Sequence, residues 1–315
     1  SAASDVFKSQ DEKECALVQL PDSYKKGMPP KKQVANDTKH HVGEESDFLP
    51  IFTFVRVLDM GEIDTTHMVV ELTMEVRMRW RDSRVTFTNL HLGTKHNIPM
   101  ATSQHLWLPL DSAIHANAII GAVLEDSHPD VAVRKLTPRV PPIHQDHRED
   151  ILYKGSTNDL EMTKRYRNKY GCTFDLTKFP FDYQKCDFII KIHLADDTYL
   201  SLVAENPAII YEGPSLVREF EVEEVTSNTS LRSNETSFTF RITLKRDYKQ
   251  QILCAFFPTF LLWLLAFFSL FIQTNDFSDR FMGSVTALLV FASLIDAIYD
   301  SLPETSYLKF IDCWV

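Results

Sequence analysis

Between Asp279 and Asp300 the chain reads DRFMGSVTALLVFASLIDAIYD, and polar groups recur along it in steps of three and four. Asp279, Met282, Thr286, Leu289, Ser293, Asp296 and Asp300 average 3.5 residues apart, which gathers them on one narrow stripe of a helix. Fixed carboxylates and hydroxyls in an otherwise apolar segment have two uses. Packed inside a bundle, they hydrogen-bond across helices. Repeated around an axis, the carboxylates form rings that attract cations and repel anions, and Leu289 forms a hydrophobic constriction that dewets and blocks flow. Met282 and Thr286 then shape the narrow inner part. Arg280 lies about 100° round the helix from Asp279, off the stripe. The spacing favours the pore.

Such a stripe needs a membrane around it. From Ile252 to Ile272 there is no charged residue, and a second apolar run follows at 281–295. A run of about 20 apolar residues spans the hydrocarbon core. The segment YLKFIDCWV at 307–315 starts to look like a third, so the chain reads as cut short. The first residues, SAASDVFKSQ, have neither a basic start nor an apolar stretch, and the chain reads as a mature one whose signal has been removed. The sequons at Asn36, Asn228 and Asn234 favour an extracellular N-terminal domain, with these as glycosylation sites.

The region before the membrane segments is β-patterned. In VVELTMEVRMRW, Val70, Leu72, Met74, Val76, Met78 and Trp80 alternate with Glu71, Thr73, Glu75, Arg77 and Arg79. FTFRITLKR and DFIIKIHLA repeat the period of two, which is that of half-buried strands. Several such strands between Pro, Asn, Asp and Gly turns predict an antiparallel, immunoglobulin-like sandwich of about ten strands, without a long amphipathic helix between 48 and 246. The expected organisation is an extension over 1–47, flexible or loosely docked, a β-sandwich over 48–246, and an α-helical pore domain over 247–315.

The five cysteines are Cys15, Cys172, Cys186, Cys254 and Cys313. Cys254 and Cys313 fall in or beside the apolar runs and read as buried thiols. Cys172 and Cys186 remain as the natural pair, leaving Cys15 odd. A ring of that size contributes about 3 kcal/mol in the chain-entropy picture. Neither a CxxC pair nor a Cys/His cluster has zinc-ligand spacing, and HQDHRED at 144–150 reads as a loop, so no metal or other cofactor is expected. A net charge of −10 argues against nucleic acid as a partner and is compatible with attracting cations. Without a Gly-rich phosphate loop, a Gly-x-Ser-x-Gly or an HExxH, the chain does not read as an enzyme.

The stretch CTFDLTKFPFDYQKC at 172–186 closes a thirteen-residue gap between its cysteines around the apolar turn Phe179-Pro180-Phe181. It resembles the signature of the Cys-loop receptors, the pentameric ligand-gated ion channels. WRDSR at 80–84, LWLP at 106–109, Arg246 before the first membrane helix, Pro258 within it and SLPETSYLKFIDCWV at 301–315 match the family in order. The resemblance covers roughly 48–315 and implies four membrane helices, of which at least two are represented. It also implies that the bridged tongue touches the membrane domain, with Phe179, Pro180, Phe181 and Asp182 coupling the sandwich to the helices. GEIDTTH at 61–67 is similar to the second coupling loop, where Asp64 or Glu62 would pair with Arg246. Ser278-Asp279-Arg280 stands where anion-selective members carry Pro-Ala-Arg, and SLPETSY is closer to anion-channel relatives. The pore charges decide the expectation for an invertebrate-like member of cation-selective type.

The family binds agonists between subunits, often in an aromatic cage that holds an ammonium. Spacing from the matched motifs places the ligand positions near Glu75 and Arg77, Ile114 or His115, His193 and the loop 225–236. That loop, VTSNTSLRSNET, has neither adjacent cysteines nor an aromatic residue, so no quaternary-amine cage is visible and the small-molecule agonist is unknown. The resulting expectation is a subunit of a homo- or hetero-pentameric, ligand-gated channel. It would conduct monovalent cations and sit multi-pass in the lipid of the plasma membrane with its N-terminal domain outside. The alternatives are an accessory subunit that does not gate by itself and a membrane-anchored extracellular binding protein.

Overall fold

Alternating side chains bury one face of each long strand, and two such faces closing on each other make the core. The computed structural model describes residues 16–30, 49–88, 90, 95–119, 123–124, 130–136, 152–192, 200–227, 237–271, 277–300, 302 and 305–314. Its strands are β1 (Leu17–Gln19), β2 (Leu49–Asp64), β3 (Val69–Trp80), β4 (Thr86–Thr88), β5 (Lys95–Asn97), β6 (Ala113–His115), β7 (Val123–Leu124) and β8 (Asp130–Arg134). They continue with β9 (Tyr153–Lys154), β10 (Asp159–Gly171), β11 (Tyr183–Ile192), β12 (Leu200–Tyr211), β13 (Leu216–Val217), β14 (Phe220–Ser227) and β15 (Ser237–Arg246). The surplus over the expected ten consists of short pieces of two or three residues, cut by turns and breaks in register.

One sheet has the order β12-β2-β3-β10-β8-β5, with β7 also on β10, and the facing sheet has the order β13-β14-β15-β11-β6. On β3 the predicted period of two holds to the residue, and Val70, Leu72, Met74, Val76, Met78 and Trp80 are all buried. On β15, Phe238, Phe240, Ile242 and Leu244 are fully buried. Phe188 of β11 stacks on Phe240 with ring centroids 5.0 Å apart. The antiparallel expectation needs one correction, because β12 runs parallel to β2. Its sequence shows alternation but carries nothing that fixes direction.

The expected boundary at 48 also shifts. Residues 16–30 are docked rather than loose, since β1 pairs β4 through Leu17–Thr88, Val18–Phe87 and Gln19–Thr86. Tyr24 anchors this segment. Its hydroxyl donates to Asp82 (3.2 Å) and accepts from the Trp107 N–H (2.8 Å), and the Arg84 guanidinium lies 4.4 Å over its ring. The polar composition of 1–47 hid this contact because one aromatic residue and a short strand carry it.

Among the described residues before 246 the only helical pieces are α1 (Met100–Ser103) and a single 3-10 turn at Pro109–Ser112. Then come α2 (Lys249–Phe271), α3 (Phe277–Asp300) and α4 (Phe310–Trp314). In α2 the stretch Ile252–Phe256 is wound as π-helix directly before Pro258. Proline has no N–H to close the α-helical ladder, and its ring crowds the carbonyl four residues back, so the preceding turn widens. Both α2 and α3 are long and apolar enough to cross a membrane.

Candidate functional site

Most of the residues singled out in the sequence fall in three regions: the face of α3, the junction of the tongue with the helices, and the outer surface of β3.

Helix α3 is continuous through the predicted stripe. Its partly covered residues are Arg280, Ala287, Phe291, Leu294, Ile295 and Ile298. At 100° per residue these centre about 180° round the helix from Leu289. The stripe therefore points away from the side on which α3 packs against its own chain. Met282, Thr286, Leu289, Ser293, Asp296 and Asp300 are all exposed. Thr286 and Ser293 donate to the Met282 and Leu289 carbonyls (2.8 and 3.0 Å), so their hydroxyl protons are held by the helix itself. The Asp279 side chain lies outside the described residues.

The Cys172–Cys186 disulfide is formed and joins the end of the β10 strand to β11. Within the ring, Phe179 is buried, while Phe181 is 42% exposed and set among aromatics at the helix ends. Its ring lies 5.2 Å from Tyr248, 6.4 Å from Phe256 and 5.9 Å from Phe310. The link between α3 and α4 holds the other flank. The Tyr307 hydroxyl accepts from Leu176 N–H (3.0 Å), and Phe310 N–H donates to the Thr177 carbonyl (2.9 Å). The tongue thus touches both the entry to the first membrane helix and the exit from the second.

Arg246, the last residue of β15, anchors this junction from beneath. Its Nε donates to Asp182 (2.8 Å) and its Nη1 meets Glu219 at 2.7 Å, with the side chain 1% exposed. Its guanidinium lies between the rings of Phe179 (4.8 Å) and Phe220 (4.4 Å). Asp182 also accepts from Gln184. A buried cation with two carboxylates and two aromatic faces has its desolvation offset on every side. The expected pairing of Arg246 with Asp64 or Glu62 does not occur. Asp64 accepts from the Thr66 and His67 N–H groups and lies 2.7 Å from His67 Nδ1. Those bonds hold its carboxyl below the usual range. Glu62 meets Arg218 (3.3 Å) and Lys169 (3.9 Å). Glu219 was missed in the sequence, where nothing links it to Arg246; the β13–β14 turn brings it there.

The expected ligand positions fall on different sheets. Glu75 and Arg77 stand on the outer face of β3, while Ile114 and His115 belong to β6 in the facing sheet. Ile114 is exposed, but His115 is not a surface group. It is buried with Nδ1 2.7 Å from the Tyr170 hydroxyl and its ring 4.5 Å from Tyr166. Burial pushes its pKa down to about 4, so it is neutral at physiological pH. Arg77 reaches Glu205 at 2.9 Å and lies 4.4 Å over the Phe54 ring. Glu75 lies 3.8 Å from Arg56. Cys254 and Cys313 are exposed on helices, correcting the expectation of buried thiols; they are apolar enough to face lipid. Cys15, Asn36, His193, Asn228 and Asn234 lie outside the described residues.

Residues 31–257 match the family described as neurotransmitter-gated ion-channel ligand binding domain. The chain is 24% identical over 282 residues to a serotonin-gated chloride channel of Caenorhabditis elegans, covering 86% of this chain and 52% of the relative. It is 25% identical over 273 residues to the glutamate-gated chloride channel subunit beta of Haemonchus contortus, covering 81% and 57%. It is 22% identical over 291 residues to the human gamma-aminobutyric acid receptor subunit rho-3, covering 89% and 57%. The chain spans about half the length of these relatives. They give no support to a cation-selective type, since two are named as chloride channels.

Proposed function

Because the chain belongs to the neurotransmitter-gated ion-channel family, the Cys-loop receptors, we propose that it is a subunit of a pentameric ligand-gated channel lined by α3. It is not an enzyme, and it is a multi-pass plasma-membrane protein with its sandwich outside. The observation that carries the pore reading is the direction of the stripe. Its exposed carboxylates and hydroxyls turn away from the side where α3 meets its own chain, and in a membrane such a face needs water or protein. Copies of α3 around an axis supply both. An extracellular binding protein that merely uses its helices as an anchor has no need of this face.

The ligand is proposed to bind between subunits. The positions on β3 and the position on β6 lie on opposite sheets, which supports a site completed by a neighbouring copy. Motion there would reach the pore through the tongue, where Phe181 meets Tyr248, Phe256 and Phe310. The ligand shifts the population of a closed–open equilibrium. The residue roles carried over from the sequence, Glu75, Arg77 and Ile114 at the ligand and Asp64, Phe179, Pro180, Phe181, Asp182 and Arg246 in coupling, are parts of this proposal.

Cation selectivity is its finer part. Asp296 and Asp300 on the exposed stripe support it, and the chloride-channel relatives do not. Reversal potentials in sodium and chloride gradients decide the point for the complete chain. Rings of these carboxylates should give a potential that follows sodium and moves away from it in Asp279→Ala with Asp300→Ala. A potential that follows chloride in the unaltered chain defeats cation selectivity and leaves the channel reading standing.

A further inference from the structure

The outer surface of β3 brings four arginines together. In register, Phe52, Arg79 and Glu161 form one cross-strand row, Phe54, Arg77 and Thr163 the next, and Arg56, Glu75 and Arg165 the third. Beside them β12 runs along β2 and loses register between Ala204 and Ile209. Glu205 opens that irregular stretch. A bulge re-aims side chains, and here it sends the Glu205 carboxylate across β2 to β3. Oε2 lies 2.9 Å from Arg77 Nη2 and Oε1 lies 2.5 Å from Arg79 Nε. The two guanidinium groups rest over Phe54 and Phe52, at 4.4 and 5.8 Å from the ring centroids. The Glu205 side chain is 11% exposed, so the bridge is largely shielded from water.

We propose that Glu205 is a specificity-determining residue: it fills the place on Arg77 and Arg79 that a ligand carboxylate would take, and thereby excludes acids and amino acids from this row. The inference rests on the reading of the β3 surface as part of the ligand site. A guanidinium presents a planar fork suited to a carboxylate. Glu205 offers one that is already tethered in place, whereas a free ligand must give up translational and rotational freedom to compete. The neighbouring rows are occupied in part: Arg165 in the third row keeps a buried Nε without a hydrogen-bond partner among the described residues, while the other charged groups are engaged. Arg56 meets Glu75 and Glu212, at 3.8 and 3.4 Å, and Glu161 is engaged by Lys95 at 2.8 Å. The ligand admitted is neutral or cationic at the end that meets Arg77 and Arg79.

The test is binding of glutamate and of γ-aminobutyrate to the purified complete protein in lipid nanodiscs, read by calorimetry. Unaltered protein should show no binding of either probe below about 1 mM. Glu205→Ala, and Glu205→Gln as the variant closest in shape, should bind at least one probe about tenfold tighter or better. Adding Arg77→Ala to either should abolish the gain. Sub-millimolar binding by the unaltered protein overturns the proposal whether or not the variants fold. Folded variants that bind no better, or a gain that survives loss of Arg77, overturn it as well. Binding is read without current, so a chain that fails to conduct leaves this result intact. Failure here alongside ligand-gated current leaves the channel reading intact.

Discussion

Arg246 and Arg77 are built from the same parts and differ in how completely they are enclosed. Each guanidinium lies about 4 to 5 Å from an aromatic ring and within hydrogen-bond reach of a carboxylate. Arg246 has two carboxylates, two rings and a side chain 1% exposed. Arg77 has a single carboxylate shared with Arg79, one ring and a side chain 30% exposed. Enclosure turns the first into a fixed strut, because any movement would strand charges away from water. The second stays within reach of solvent, so its loss costs the fold little, while the tethered Glu205 still holds its place against a free carboxylate. The same chemistry thus makes a fully enclosed strut at the foot of the sandwich and a partly open bridge on its flank.

Arg246→Ala should break the comparison hardest. It leaves Asp182 buried without its cation, and the loss of one partner from a buried pair costs about 3–5 kcal/mol. The variant is expected to lose its folded sandwich in a thermal melt. Arg246→Lys should recover little, because a point charge cannot bond two carboxylates in fork geometry. Cys172→Ser follows, since opening the ring removes about 3 kcal/mol in the chain-entropy picture. Its melt should fall to that of the reduced unaltered protein, and the tongue should lose protection in hydrogen exchange.

Acid should then distinguish the buried interior from the exposed flank. His115 is held neutral, with its folded pKa pushed down to about 4 by burial. Below the ordinary histidine value the unfolded chain takes up a proton that the folded one refuses, so stability falls as pH drops from 6.5 towards 4. Asp64 and Asp175, whose carboxyls are lowered by hydrogen bonds to His67 and Thr177, withdraw their contribution only below that window. Melts of the unaltered protein and of His115→Gln should converge as pH falls through it. Arg77→Ala should have the smallest effect on stability, about 1 kcal/mol or less, because the pair is partly exposed and Glu205 keeps Arg79.

Periodicity made the long elements legible. The strict alternation in β3 and β15 marks their buried faces residue by residue, and the stripe from Met282 to Asp300 emerges as one exposed face of α3. What escaped depends on contacts distant in sequence. β12 joins β2 in parallel, Glu205 reaches Arg77 from 128 residues away, and Glu219 arrives at Arg246 around a short turn. Local spacing carries no trace of such pairings. His115 shows the same limit on burial. The motifs place a ligand position near Ile114 or His115, yet only the fold sets His115 on β6 and inside, against the rings of Tyr166 and Tyr170.

The contact of Phe181 with Tyr248, Phe256 and Phe310 is where the sandwich is proposed to move the pore. Its direct test is ionic current from the complete chain expressed alone, screened with amines, amino acids, protons and divalent cations, and compared with Phe181→Ala at matched surface abundance. The account predicts ligand-evoked current in the unaltered chain and its loss in the variant, with pentamers intact. An unaltered response in Phe181→Ala, or silence from surface pentamers of the unaltered chain, would contradict it.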